Sequence, residues 1–250
     1  MSKTQDQSGL DPNRWRSLFT IALSQLMVVL DSSIVNIAIP SAEKDLGITD
    51  VNQQWVVTAY TLAFGSLLLI GGRVGDYMGR KKALIIGLLG FAASSAFGGF
   101  AANQSMLFGA RALQGVFGAL LAPAALALIS ETFSDPKERA KAFGVMGAIS
   151  GGGAAIGLIL GGTLTEFFSW RWCLGVNVPI AIVASLLASK FVKESKAEGD
   201  KSYDIPGAVT ASAGLFSLTY GFNEAARNGW GSSRTLTYFV AAAVLLALFF

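Results

Sequence analysis

Residues 72–84, "GRVGDYMGRKKAL", place three glycines and five charged residues inside an otherwise oily chain. A long apolar run ends just before this stretch, and another begins just after it. Glycines beside lysines first suggest a phosphate cradle. A nucleotide-binding loop needs G-x-x-x-x-G-K-[ST] after a strand, so that backbone N–H groups wrap the phosphates and a lysine reaches them. Here Gly79 is followed by Arg80, and nothing around it reads as a strand. That excludes a nucleotide as partner of this stretch and argues against a subunit of an ATP-driven pump. The stretch reads instead as a short turn between two membrane spans.

Composition supports that reading. The chain has 250 residues, 52% hydrophobic and 14% charged, against roughly a quarter charged in soluble domains. The charges are clustered, and the runs between them reach the length of about 18 apolar residues that reads as a transmembrane helix. The fold class is therefore an all-α polytopic membrane protein. The single cysteine, Cys173, excludes a disulfide within the chain and a cysteine-built metal site. Without histidine, the chain lacks the usual near-neutral proton carrier and the commonest metal ligand. No metal or other cofactor is expected, and any proton chemistry falls to carboxylates. The net charge of +3 is no nucleic-acid signal, because the cations sit at helix ends. The polar start, "MSKTQDQSGLDPNRWR", leads into a long hydrophobic segment with no small-residue cleavage site, so the first segment is expected to stay as a membrane anchor.

Complete spans are expected at about 18–40, 55–71, 83–102, 106–129, 140–165, 173–191 and 205–222, and an eighth starts near Leu236. Its apolar run, "YFVAAAVLLALFF", is too short for a hydrocarbon core of about 30 Å at 1.5 Å per residue. The chain is thus expected to be a fragment of something longer, or a gene product cut short. The polar stretch "KESKAEGDKSYD" divides it into an N-terminal six-helix bundle (1–193), a cytoplasmic linker (194–204) and two inserted helices (205–250), the second truncated. Lys and Arg number 14 on the side of the N-terminus and 4 on the other, which places the N-terminus in the cytoplasm.

Two charges fall inside spans, where a charge is expensive and functional by default. Asp31 precedes Pro40 by nine residues, about 14 Å along the helix, and Arg111 follows Met106 by five, about 8 Å. Both depths lie in the outer half and can overlap. One reading is a permanent Asp31–Arg111 ion pair that holds two helices together. The other is that Asp31 gains and loses a proton, or meets a cationic substrate, while Arg111 sets its affinity. Asn36 and Gln114 are polar neighbours on the same helices. Gln114 reads as interhelical packing, and Asn36 either lines a cavity or packs. In the fifth span Gly153, Gly157 and Gly161 recur every four residues, a face that lets another backbone approach closely. Gly144, Ala148 and Gly152 form a second such stripe, and Gly147 and Gly151 a third.

Together these features resemble the major facilitator superfamily, in particular its fourteen-span drug/proton antiporter branch of EmrB/QacA type. The stretch from Gly72 is similar to the superfamily's loop motif, with Gly72, Asp76, Gly79, Arg80 and Lys81 matching. "LDSSIVNIAIP" resembles the first-span motif of drug exporters, "RALQG" the fourth-span motif R-x-x-Q-G, and "WRWCLGVNVP" the start of the sixth span in this branch. The antiporter motif of the fifth span, G-P-x-x-G-G, is matched at Gly157, Gly161 and Gly162, with Leu158 in place of the proline. The resemblance implies two six-helix halves rocking around a midplane site, with two further helices between them.

The function so implied is proton-coupled efflux of small lipophilic or cationic compounds at the cell membrane, that is, multidrug export and antibiotic resistance. Asp31 would be the proton or cation site and Arg111 its modulator. Asp76 with Arg80, Lys81 and Lys82 would govern a cytoplasmic gate, one side of a latch whose other side lies in a C-terminal half. The expected partners are a small-molecule substrate, protons, the lipid bilayer and that half. Two alternatives stay open, an exporter or importer of one metabolite and a non-transporting membrane protein with a structural or regulatory role. No nucleophile–base pair or other catalytic constellation points to an enzyme.

Overall fold

A computed structural model describes residues 12–196 and 205–249, and every regular element among them is a helix. In chain order these are α1 (Arg14–Leu46), α2 (Asp50–Gln53), α3 (Trp55–Met78), α4 (Arg80–Gly99), α5 (Gln104–Thr132), α6 (Pro136–Phe167), α7 (Arg171–Gly175), α8 (Asn177–Phe191), α9 (Ile205–Asn228) and α10 (Ser233–Phe249). Six segments are long and apolar enough to cross a membrane: α1, α3, α4, α5, α6, and α7 with α8 taken together. The helix α9 occupies the expected seventh position. Its 24 residues suffice in length, but serines, threonines, Asn223 and Glu224 dilute its hydropathy and it is not among the six. Residues 197–204 of the expected linker, and residues 1–11 of the polar start, lie outside the described residues.

The helices overrun the expected spans. At 33 residues α1 is about 50 Å long, well beyond a hydrocarbon core of about 30 Å, so its charged ends emerge. It continues through Pro40 and stops at Gly47, whose φ of 63° is left-handed. The helix α6 starts where Asp135 accepts hydrogen bonds from the N–H groups of Lys137 and Glu138, with Pro136 in the first turn.

One expectation about the opening stretch is corrected. The second span does not end at Gly71; α3 stays helical to Met78, and the turn is Gly79 alone, with φ 114°. Gly71, Gly72 and Gly75 serve packing. A Cβ on Gly71 would overlap the Ala119 carbonyl of α5, and one on Gly72 would come to 3.4 Å from Pro123. Across the same contact, a Cβ on Gly115 of α5 would overlap the Tyr60 carbonyl of α3. Lipid tails are as apolar as leucine, so close backbone approach of this kind does much to hold such helices together.

Four helices close a ring, α1 to α8 to α4 to α5 and back to α1, and the others pack on it. The helix α6 packs on α1, α1 on α8, α8 on α4, α4 on α5, and α5 on α3; α9 then packs on α3 and α10 on α9. Of the six candidate spans α6 is the most exposed, with 17% of its apolar window buried against 56% for α1. Its stripe of Gly153, Gly157 and Gly161 is the face set on α1, against Val29, Ser33 and Ile34. Gly144, Gly147, Gly151, Gly152 and Gly162 have nothing within 4 Å of where a Cβ would stand. Two apolar cores form inside the bundle. One is built on Leu84, Leu88, Phe91, Leu121 and Leu128, the other on Ile34, Leu107, Trp170 and Leu174. A polar layer lies at their junction.

Candidate functional site

That layer is centred on Asp31, which α1 holds with no solvent exposure. Its Oδ2 accepts from Arg111 Nη1 at 2.7 Å. Its Oδ1 accepts from Gln114 Nε2 at 2.9 Å and from Asn177 Nδ2 at 2.7 Å. Arg111 and Gln114 stand three residues apart on α5, hence on one face, and Arg111 Nη1 also donates to Gln114 Oε1 at 2.6 Å. Arg111 Nε donates to the Val56 carbonyl of α3 at 3.0 Å, and its guanidinium lies over the Tyr60 ring at 4.7 Å. The ring face adds a favourable contact to a desolvated cation. Ser95 of α4 closes the layer, its Oγ accepting from Gln114 Nε2 at 2.7 Å and from Asn177 Nδ2 at 3.3 Å. Three helices thus meet at the carboxylate, and two more, α3 and α4, hold its partners.

Chemically this is a buried ion pair with neutral donors around it. The pair cancels its own charge, and the amides satisfy the remaining carboxylate lone pairs, the condition under which such a pair survives burial. A narrow apolar crevice lined by Val35, Ala38, Val56, Leu107, Trp170 and Leu174 abuts Arg111.

A second constellation sits at the rim of the bundle that carries the start of α1. Arg80 Nε donates to Asp76 Oδ1 at 2.8 Å, and Arg80 Nη1 donates to Glu131 at the end of α5. The backbone N–H of Arg80 donates to the Ser195 carbonyl at 2.9 Å, and that of Lys81 to Glu194 Oε1 at 3.0 Å. Lys81 Nζ donates to the Ser189 carbonyl at 2.8 Å. Gly79 offers α4 no side-chain cap, and a Cβ there would stand 2.7 Å from the Glu194 carboxylate. At the opposite rim Asp45 Oδ2 accepts from Trp170 Nε1 at 2.9 Å and Arg171 Nη2 at 2.8 Å. Arg171 Nη1 reaches the Ala101 carbonyl at 2.7 Å.

Of the residues singled out in the sequence, Asp31, Arg111 and Gln114 are brought together, and so are Asp76, Gly79, Arg80 and Lys81. Asn36 stands apart. It is exposed, and its Nδ2 donates to the Ser32 carbonyl one turn back at 2.8 Å. Gly72 joins the α3–α5 contact, Gly153, Gly157 and Gly161 join the α1–α6 contact, and Gly162 is in neither. Asn177, Ser95, Tyr60, Glu131 and Glu194 escaped the sequence reading. Asn177 carried a signal, a lone amide within "CLGVNVPIAIV"; Ser95, a small hydroxyl in an apolar helix, carried none. Among the described residues no group of three or more His, Cys, Asp or Glu is placed to hold a metal ion.

Comparison with known proteins gives this arrangement a family. The profile of the Major Facilitator Superfamily matches residues 21–250. The chain is 51% identical over 241 residues to puromycin resistance protein pur8 of Streptomyces alboniger, covering 96% of this chain and 48% of that protein. It is 40% identical over 219 residues to the cephamycin export protein CmcT of Amycolatopsis lactamdurans, covering 87% and 45%. To the multidrug efflux pump LfrA of Mycolicibacterium smegmatis it is 34% identical over 226 residues, covering 90% and 45%. The chain spans about half the length of these relatives. In fold it is similar to the human organic anion transporter MFSD10, with a TM-score of 0.67 at 16% identity over 91% of this chain and 60% of that one. The POT family transporter PepTSo gives a TM-score of 0.66 at 16% identity over 94% and 52%. On the profile match and these relatives together, the chain belongs to the Major Facilitator Superfamily.

Proposed function

We propose that this chain carries the coupling half of a proton-driven exporter of small lipophilic or cationic compounds in the plasma membrane, of the fourteen-span antiporter type, with its N-terminus in the cytoplasm. The observation that carries the reading is the Asp31–Arg111 pair, 0% and 2% exposed, in a chain whose relatives are named for antibiotic resistance and export. An intramembrane carboxylate held by a cation is a group whose proton affinity a conformational change can alter. In this reading a proton arriving at Asp31 releases Arg111, and substrate leaves as the halves rock. Asp76, Arg80, Lys81 and Glu131 hold the cytoplasmic rim closed against a second helical half, within the length by which the relatives exceed this chain.

The test is transport by the protein in everted membrane vesicles, with ethidium and puromycin as probes and an imposed proton gradient. Asp31→Asn is expected to abolish gradient-driven uptake while membrane expression is unchanged. Uptake equal to that of the unmutated protein would overturn the role of Asp31. A second reading, export of one particular metabolite, is favoured by relatives named for single compounds, puromycin and cephamycin. It predicts that puromycin or a related solute is moved and ethidium is not.

A further inference from the structure

Protonation of Asp31 poses a problem that the surrounding hydrogen bonds already answer. As a carboxylate Asp31 only accepts, and three donors converge on it: Arg111 Nη1, Gln114 Nε2 and Asn177 Nδ2. As an acid it carries an O–H that must itself find an acceptor, because a buried unpaired donor is costly. Gln114 Oε1 is already engaged by Arg111 at 2.6 Å. Ser95 Oγ already accepts from two amides. Asn177 Oδ1 is buried and has no hydrogen-bond partner among the described residues. It belongs to the amide whose other end touches Asp31 at 2.7 Å, and the residue has no solvent exposure.

We propose that Asn177 is the positioning residue that turns with the charge of Asp31, donating Nδ2–H to the carboxylate and, with its amide turned over, accepting the acid's O–H at Oδ1. The proposal rests on the reading that Asp31 takes up a proton. The step balances simply: an O–H bond forms at Asp31 Oδ1, the carboxylate charge is lost, and one hydrogen bond reverses its direction. The titratable and charged groups facing Asp31 are Arg111 from α5 and Tyr60 from α3 beneath that guanidinium, while the buried Cys173 of α7 meets Thr165 and the Gly161 carbonyl. The helices α4 and α8 bring neutral groups to this layer, Ser95 and Asn177 itself, and α6 sets its glycine stripe on α1 against Val29, Ser33 and Ile34.

The place of Asn177 in the chain gives the turn a consequence. It is the first residue of α8, and Val176, which joins α8 to α7, keeps helical angles of φ −62° and ψ −25°. Pro179 follows two residues later and has no N–H to return to the Gly175 carbonyl. The reversing amide therefore sits beside a missing backbone hydrogen bond of the sixth span, where a changed side-chain hydrogen bond can alter the angle between α7 and α8.

The experiment is infrared difference spectroscopy of the purified protein in lipid nanodiscs across a pH titration. The protonated Asp31 carboxyl is identified as the C=O band missing in Asp31→Asn. In Asn177→Leu that band is expected to move to higher wavenumber, as an acid with a weakened hydrogen bond does. A band at unchanged frequency would overturn the role of Asn177 while leaving proton uptake at Asp31 intact. Absence of any Asp31 band at any pH would overturn both. A measurement without mutation keeps the test open should Asn177→Leu fold poorly. With asparagine side-chain carbonyls labelled with carbon-13, one amide band is expected to shift as Asp31 protonates. Identical label spectra at both ends of the titration would refute the turn.

Discussion

Two arginines bridge helices in this molecule, Arg111 in the middle of the bundle and Arg80 at its rim, and they have gathered different company. Arg111 is paired with one carboxylate, and its further contacts are neutral: the Gln114 amide, the Val56 carbonyl and the Tyr60 ring. Arg80 has two carboxylates, Asp76 and Glu131, with Glu194 a residue away on the Lys81 backbone. The exposures explain the choice. Arg111 and Asp31 are 2% and 0% exposed, whereas Asp76 and Glu131 are 35% and 48% exposed. Where the surroundings are apolar, uncancelled charge costs several kcal/mol, so one plus is matched by one minus and dipoles fill the rest. At the rim, water and salt screen a surplus negative charge. A proton added to the inner cluster would unbalance it at once; the same proton at the rim would merely reduce a surplus.

The sharpest break of this comparison is to remove the inner cation. Arg111→Leu leaves Asp31 buried and uncompensated, with an expected loss of about 3–5 kcal/mol. Thermal unfolding in detergent should show it as a large drop in Tm. The double variant Asp31→Asn with Arg111→Leu removes both charges and should recover most of the loss. Equal stability of Arg111→Leu and the unmutated protein would mean that the inner pair is not desolvated as its exposure indicates.

The two clusters also differ in how far the sequence announces them. Asp31 and Arg111 are legible because a charge in an apolar run is conspicuous, and counting residues from the helix ends puts both at overlapping depths. Two of their neutral partners are harder to read: Ser95 is one small hydroxyl among many, and Asn177, a lone amide in an apolar run, meets Asp31 across 146 positions. At the rim the motif shows Asp76 and Arg80, four apart and paired across the Gly79 turn from α3 to α4, but not Glu131 or Glu194, which look like solvated ends of other helices. The glycines mislead most. In a short charged stretch they read as a turn, yet Gly71, Gly72 and Gly75 are helical and give α5 room, which only the three-dimensional contact reveals.

Gly79 is the exception, and it yields the intermediate effect. Its φ of 114° disfavours any side chain, and an added Cβ would stand 2.7 Å from the Glu194 carboxylate that caps α4. Gly79→Ala is expected to cost about 1–3 kcal/mol in backbone strain and to release Glu194. Hydrogen exchange at the Lys81 amide would speed up in the variant. Gly72→Ala, whose Cβ would meet Pro123 at an ordinary 3.4 Å, serves as the control expected to leave that amide unchanged. Equal exchange in both variants would show that Glu194 does not depend on the bare backbone at Gly79.

The smallest effect is expected where intuition places a large one, at Arg80→Gln. Two ion pairs disappear, but both carboxylates are a third or more exposed, and pairs so hydrated contribute about 0–1 kcal/mol each. Removing the cation strands Asp76 and Glu131 in partly aqueous surroundings, where water replaces its hydrogen bonds. Whatever stability is lost should also fade with added salt, since the Debye length falls from about 10 Å at 0.1 M to about 3 Å at 1 M. The Tm difference between Arg80→Gln and the unmutated protein should therefore be modest at low salt and narrower at high salt. For Arg111→Leu the difference should persist, because ions do not enter the layer around Asp31. A salt-insensitive loss at Arg80 as deep as the one at Arg111 would mean that burial does not separate the two sites, and their unlike partners would need another cause.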